Sequence, residues 1–224
     1  MEGNISKELV EQPSRRVWIK EPFCGLSHGI GAVLSVIALI VLLDLARGRP
    51  WHTVAFAIYG VSLILLYTAS ALYHWLPVGP PHVYRLMRFD HTAIFLLIAG
   101  TFAPVCLLAL RGPWGWGLLV AEYTLAAIGI ASLFWPRVPH AWRVVLYLIM
   151  GWISLFAMGP LRASLSPAAF AWLIAGGIVY SMGAAIFALD RPHLWPGKFS
   201  AHDLWHVFVL GGSACHFFLM LCLV

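Results

Sequence analysis

Seven long apolar stretches constrain the fold of this chain more than any other feature. They cover residues 27–45, 53–76, 90–110, 115–135, 142–160, 168–189 and 202–223, named spans 1 to 7 in chain order. A helix needs about 20 apolar residues to cross a hydrocarbon core of about 30 Å. Apolar residues make up 61% of the 224 positions and charged residues only 10%, whereas a soluble domain carries about 25% charged residues. The sequence therefore predicts an all-α membrane protein with seven transmembrane helices.

The breaks between the spans are short and contain proline, glycine and arginine, as at positions 47–50 and 77–81. Connections this short hold consecutive helices side by side, so we expect residues 26–224 to form one compact bundle. Residues 1–25 are polar and mixed in charge, and they lack the apolar segment of a cleavable signal peptide. We expect them to form a cytosolic N-terminal tail.

The lysine and arginine residues are distributed unevenly between the two sides of the predicted bundle. Ten of the 14 fall on the side of the N-terminus and four on the other side. Cytoplasmic loops carry the excess of Lys and Arg, so the N-terminus is expected in the cytosol and, after seven spans, the C-terminus outside. The net charge of +5 is spread thinly between apolar stretches. Without a basic patch, no nucleic-acid partner is expected.

Four ionisable residues from distant parts of the chain are predicted to lie at one cytosolic depth. His74 lies near the end of span 2, Asp90 opens span 3, and His202 and His206 open span 7. Residues four apart on a helix share one face, which also puts Ser70 beside His74. Ionisable groups inside a membrane cost several kcal/mol unless they are paired. These residues are therefore candidates for function.

The residue types at this depth are typical of a metal centre. His202 and His206 could bind one ion together, and His74 would complete a His₃ set with an open fourth position, as in catalytic zinc sites. Asp90 could then orient or deprotonate a water on the metal, and Ser70 could support a ligand or that water. One carboxylate and one hydroxide would neutralise the ion in a low-dielectric site.

Several alternatives stay open at this point. His28 and His91 are reserve ligands, and imidazole–carboxylate sites also accept iron in place of zinc. Each of these histidines could instead be an interfacial residue without a metal. The four cysteines show neither CxxC pairing nor the spacing of a zinc knuckle; they are Cys24, Cys106, Cys215 and Cys222.

Two further polar features have structural explanations. The sequence from His202 to His206 resembles the H-E-x-x-H zincin pattern with Asp203 in place of glutamate, but Asp203 is better explained as a residue that points to water or caps the start of span 7. Glu122 in span 4 and His216 in the outer half of span 7 are expected to hydrogen-bond each other and hold the two helices together. The alternative for that pair is an outward polar path.

Four motifs together resemble the bacterial hemolysin III family, the prokaryotic branch of the progestin and adipoQ receptors, which include the adiponectin receptors. They are Ser-His-Gly-Ile-Gly-Ala at 27–32, Ser-Ala-Leu-Tyr-His at 70–74, Phe-Asp-His at 89–91 and His-Asp-Leu-Trp-His at 202–206. The resemblance implies seven helices with a cytosolic N-terminus. It also implies zinc ligands at His74, His202 and His206, with Asp90 and Ser70 beside the metal.

Three classes of function are considered for this chain, and the resemblance bears on the first two. The first is a zinc-dependent hydrolase of lipid amide or ester bonds, with membrane lipids as substrates and Asp90 and Ser70 as catalytic residues. The second is a non-enzymatic, zinc-stabilised sensor or homeostasis factor, in which Asp90 would ligate the metal directly. The third is a channel or transporter, which would need a polar path to the outer face. In each case we expect a multi-pass protein of the bacterial inner membrane.

Overall fold

The structure is a computed structural model that describes residues 19–135, 137–192, 194–195 and 199–224. Within these residues, seven helical spans are long and apolar enough to cross a membrane. Spans 1 to 7 comprise Pro22–Leu45, Pro50–Trp75, His82–Ala109, Pro113–Ser132, Ala141–Ser164, Pro167–Leu189 and Ala201–Leu221. The predicted fold class is therefore confirmed. Residues 1–18, which make up most of the predicted tail, lie outside the described residues.

The helices begin earlier than the apolar stretches that predict them. Span 1 begins at Pro22 instead of residue 27, and span 3 begins at His82 instead of residue 90. Proline occupies the first turn of spans 1, 2, 4 and 6, where its fixed φ suits a helix and its missing N–H costs nothing. First turns that contain proline, histidine or arginine extend these helices beyond the apolar stretches, and a hydropathy window does not detect them.

Two spans are irregular. Span 3 is α-helical over His82–Pro104 and ends in a π-helical turn over Val105–Ala109. Span 5 consists of an α-helix over His140–Trp152, a 3₁₀ segment over Ile153–Ala157 and a second α-helix over Met158–Ser164. Irregular backbone is tolerated at membrane depth where protein or a cavity adjoins it, and Ser154 of the 3₁₀ segment lines the internal cavity.

The spans form a ring in which neighbours in sequence are mostly neighbours in space. Spans 1, 2, 3 and 4 pack consecutively, span 6 packs on span 7, and span 7 closes the ring against span 1. Span 5 contacts spans 3, 4 and 6 through fewer close approaches than the other pairs make. The short connections thus produce the expected single bundle, with span 5 as its most loosely packed helix.

The polarity of the bundle is inverted relative to a soluble protein. Large apolar side chains such as Val33, Ile40 and Val120 are more than half exposed on the outer surface. Polar and ionisable side chains such as His28, His206 and Glu122 are almost completely buried. An apolar exterior this extensive is typical of a surface that contacts lipid.

Close backbone contact at the start of span 4 gives a prediction for stability. A Cβ added at Gly115 would overlap the carbonyl oxygen of Cys106 and lie 2.9 Å from that of Leu110, whereas nothing lies within 4 Å of one added at Gly117. We expect Gly115→Ala to lower the free energy of unfolding by about 1–3 kcal/mol, because the backbone around it must move. Gly117→Ala on the same helix is the matched control. Thermal unfolding in detergent would show equal losses for both variants if backbone contact were not the cause.

Candidate metal centre

The chain just before span 1 is tied to the end of span 2. The backbone N–H of Glu21 donates to the carbonyl oxygen of His74 over 2.9 Å, and that of Lys20 donates to Trp75 over 3.2 Å. Pro22 then starts the helix at once. This pairing brings Glu21 and the first turn of span 1, with Cys24, next to His74.

Four side chains bring metal-binding atoms together at this end of the bundle. They are Cys24, His74, His202 and His206, whose donor atoms all lie within 4.8 Å of one another, and we name this group the candidate metal centre. The Nε2 atoms of His202 and His206 are 3.1 Å apart, close to the separation of two nitrogens on one tetrahedral ion with metal–nitrogen distances of about 2.0–2.1 Å. The structure thus brings the three predicted histidines together.

Glu21 fixes the orientation of one of these imidazoles. Its Oε2 atom accepts a hydrogen bond from His74 Nδ1, which leaves Nε2 of His74 available for a metal. A carboxylate bound to the second nitrogen of a histidine is the usual support of a metal-ligating imidazole. Burial alone would raise the pKa of Glu21, but the hydrogen bond from His74 and the charge of Lys20 hold that pKa at about 2, so Glu21 is an anion at neutral pH.

Asp203 connects the start of span 7 to Cys24. Its Oδ2 atom accepts hydrogen bonds from the backbone N–H and hydroxyl of Ser200, both 2.7 Å away, while Ser200 Oγ accepts from the Asp203 N–H. This is the capping box of span 7, and the predicted cap is confirmed. Asp203 Oδ1 accepts from the Cys24 thiol over 3.1 Å.

Asp90 and Ser70 lie on the wall of the cavity next to the candidate metal centre. Both are buried, and both line the same cavity as the three histidines. The Ser70 side chain and His74 are both within interaction range of the Asp90 carboxylate. The group of donor atoms contains Cys24 and does not contain Asp90. The geometry therefore places Asp90 beside the centre.

The two reserve histidines lie near the candidate metal centre but outside it. The ring of His28 is 3.9 Å from that of His206 between centroids, and neither nitrogen of His28 has a hydrogen-bond partner among the described residues. His91 Nδ1 donates to the carbonyl oxygen of Met87 over 2.7 Å. His28 therefore packs on a candidate ligand, and His91 is oriented by its own helix.

A cavity of about 320 Å³ extends from the candidate metal centre into the bundle. His74 and His202 line one end, and Thr101 and His216 line the other. His216 follows His202 by 14 positions, which corresponds to about 21 Å of helix. Most lining side chains are apolar and come from every span except span 4. The cavity is thus a long apolar space with a polar group of histidines at one end.

The expected hydrogen bond between Glu122 and His216 is wrong. Both carboxylate oxygens of Glu122 and both ring nitrogens of His216 lack hydrogen-bond partners among the described residues. The order of the ring explains this, because span 4 packs against spans 3 and 5 while span 7 packs against spans 6 and 1. His216 lies against Gly176 of span 6 instead. Glu122 is buried next to span 3, within electrostatic reach of Cys106.

The residues of the candidate metal centre fit a divalent transition metal. Imidazole and thiolate are ligands for zinc, and imidazole also suits iron and copper. Nδ1 of His206 is buried without a hydrogen-bond partner among the described residues, and the Nε2 atoms of His202 and His206 face each other. Two neutral imidazole nitrogens this close repel unless a proton or a cation lies between them, and a metal ion satisfies both.

Sequence reasoning missed Glu21 and Cys24. Both precede residue 27, where hydropathy places the start of span 1. The signal that identifies them is the Glu-Pro dipeptide at 21–22, since proline is common at the first position of a helix. A helix that begins there puts Cys24 and His28 on one face, four residues apart, at the same end of the bundle as His202 and His206.

Comparison with known proteins identifies the family of this chain. The family model described as "Haemolysin-III related" matches residues 16–217. The chain is 44% identical to Hemolysin-3 of Bacillus cereus over 91% of its length and 92% of that protein. It is 41% identical to the Hemolysin-3 homolog of Bacillus subtilis (strain 168), over 91% and 94%. It is also 26% identical to the human Monocyte to macrophage differentiation factor, over 84% and 78%. The chain therefore belongs to the haemolysin III family of multi-pass membrane proteins.

Proposed function

We propose that this protein is a zinc-dependent hydrolase that cleaves amide or ester bonds of membrane lipids. One observation carries the proposal: three imidazoles converge at one end of a long apolar cavity, with a buried carboxylate on the adjacent wall. The cavity volume of about 320 Å³ is within the range of about 300–1,000 Å³ found for small-molecule sites. An acyl chain would occupy the apolar length and leave its carbonyl group near the histidines.

Each polar residue of the site has a defined task in this proposal. His74, His202 and His206 would hold the metal, with Glu21 keeping His74 in the tautomer that offers Nε2. Zinc, when bound, would polarise the scissile carbonyl and activate a water molecule. The Asp90 carboxylate would take the proton from that water and return it to the leaving amine or alcohol. Ser70, its neighbour on the cavity wall, would help to position the Asp90 carboxylate.

The location of the reaction follows from the charge distribution. The positive-inside count puts the N-terminus, and with it His74, His202 and His206, on the cytoplasmic side. We therefore propose a bacterial inner-membrane protein that draws its lipid substrate from the bilayer and acts near the cytoplasmic surface. The partners in this proposal are membrane lipids.

Release of fatty acid from defined lipids tests the proposal. Purified full-length protein, loaded with zinc in lipid nanodiscs, is incubated with ceramides, N-acyl amino acids and acyl esters, and free fatty acid is measured by mass spectrometry. We expect release from at least one class and its loss after chelation and removal of the metal. Zinc-loaded protein that releases nothing from the panel, while an active hydrolase does so in parallel, would contradict the proposal.

A second candidate function is a non-enzymatic membrane sensor with a structural metal. The observation that favours it is the presence of Cys24 among the donor atoms, because structural zinc sites have four protein ligands. In that case metal removal would lower the thermal stability strongly, and zinc-loaded protein would release no fatty acid. The same zinc-loaded and metal-free samples therefore separate the two functions.

A further inference from the structure

Cys24 differs from the other three members of the candidate metal centre, because they are histidines and it offers a thiol. The other three donors are the imidazoles of His74, His202 and His206, and the Cys24 Sγ atom lies within 4.8 Å of their nitrogens. The thiol is buried. The first turn of span 1 holds it there, because the backbone of Glu21 is hydrogen-bonded to the end of span 2.

We propose that the Cys24 thiolate is the fourth ligand of the metal ion, so that the resting centre is a closed His₃Cys site. This inference rests on the metal binding in the proposed function and adds a means of regulating the same site. A zinc–sulfur distance of about 2.3 Å and zinc–nitrogen distances of about 2.0–2.1 Å require the four donor atoms to approach one another by about 1 Å. Side-chain rotation supplies a movement of this size without a change in the helices.

Asp203 provides the proton acceptor that this ligand needs. When the metal binds, the Sγ–H bond breaks, its electron pair forms the metal–sulfur bond, and the proton passes to Asp203 Oδ1, which already accepts the hydrogen bond over 3.1 Å. Asp203 is partly exposed, so the proton can continue to water. The charges also balance, because the thiolate and the Glu21 carboxylate together cancel the +2 charge of the ion, as a buried site requires.

Cys24 has two alternative partners, the metal ion and Asp203, and these define a closed and an open state of the site. With Cys24 on the metal, four protein ligands surround the ion and exclude substrate. With Cys24 hydrogen-bonded to Asp203, as in this structure, the three imidazoles leave the fourth position open, which is the arrangement of catalytic zinc sites. Exchange of the thiol between the metal and Asp203 would therefore switch the site on and off.

X-ray absorption at the zinc edge tests the ligand on unmodified protein. For the full chain loaded with zinc in detergent, we expect about one sulfur neighbour at about 2.3 Å and about three nitrogen neighbours at about 2.0 Å. A shell of nitrogen and oxygen alone overturns the proposal. This measurement needs neither a variant nor an enzymatic activity. The absence of a sulfur neighbour would therefore contradict ligation by Cys24 without contradicting the proposed hydrolysis, which the fatty-acid assay tests separately.

Cobalt substitution assigns the sulfur to Cys24. In wild-type protein we expect a near-ultraviolet sulfur-to-cobalt charge-transfer band together with the visible bands of a four-coordinate ion. Cys24→Ser should lose the charge-transfer band and keep the visible bands, since the three imidazoles remain. Cys222→Ser, whose thiol is exposed at the other end of span 7, is the matched control and should keep both. A charge-transfer band that persists in Cys24→Ser overturns the assignment.

Discussion

Replacing His206 by alanine is expected to weaken metal binding by more than about 100-fold. Residues that only support a metal ligand already contribute about 10–100-fold to affinity, and His206 would supply a ligand atom itself. Its Nε2 lies 3.1 Å from that of His202, so the loss also leaves His202 without its partner on the ion. We expect elemental analysis after gel filtration to find less than one tenth of the metal that wild-type protein retains.

The same change should lower thermal stability more strongly when metal is present. At metal concentrations well above the dissociation constant, each 100-fold loss of affinity removes about 2.7 kcal/mol of stabilisation. Without metal, His206→Ala loses only the packing of a buried imidazole, so its difference from wild-type protein should be smaller. His52→Ala is the matched control, because His52 lies at the opposite end of span 2 from His74. Full metal content in His206→Ala would contradict a role for His206 as a ligand.

Replacing Asp90 by asparagine is expected to reduce lipid hydrolysis by about 10²–10⁴-fold, the usual contribution of a general acid–base group. Asparagine keeps the size of the side chain but cannot accept a proton at neutral pH. Asp90 stands outside the group of donor atoms, so the variant should retain its metal. The measurement is kcat for the best lipid of the panel, with the metal content of the same sample.

Ser70→Ala is the companion variant for Asp90. Ser70 would act only by positioning the carboxylate, so its loss should reduce kcat far less than Asp90→Asn does, again without loss of metal. Should Asp90→Asn lose its metal, Asp90 would be a direct ligand and the proton-transfer role would fall. If Asp90→Asn keeps both its metal and full activity, the result contradicts only the role of Asp90 as general base.

The sequence predicts the number and order of the spans because one strong physical requirement decides them. Backbone groups in lipid must be hydrogen-bonded within the segment, so each long apolar stretch has to be a helix. The limits of those helices depend on weaker signals. Span 3 extends back to His82 through a turn that contains arginine, and a hydropathy window ends where the charges begin.

The histidines of the site could be predicted because the direction of each span alternates. Once the spans are counted, His74 at the end of span 2 and His202 at the start of span 7 must lie at the same end of the bundle. Glu21 and Cys24 were missed because hydropathy places the start of span 1 after them. The Glu-Pro dipeptide at 21–22 indicates the earlier helix start, but the backbone hydrogen bonds that hold this segment against span 2 depend on tertiary structure.

The sequence does not determine toward which neighbouring helix an individual side chain points within the ring. Spans that are apolar on all sides have almost no amphipathic face, so nothing in span 4 indicates that Glu122 points toward span 3 and away from span 7. The contacts are instead selected by small residues that allow close approach. One example is Gly100, where an added Cβ would overlap the side chain of Ser62.

The tie between Glu21 and His74 has a practical consequence for handling this protein. Among the described residues, two main-chain hydrogen bonds, one carboxylate and the contact of Lys20 with the Tyr73 ring join the segment before span 1 to the end of span 2, and they orient a candidate ligand. Cloning that trims the leading residues past Lys20, or fuses a bulky carrier directly before it, would disturb this junction. An affinity tag is better placed after span 7, whose final residues lie at the opposite end of the bundle from the candidate metal centre.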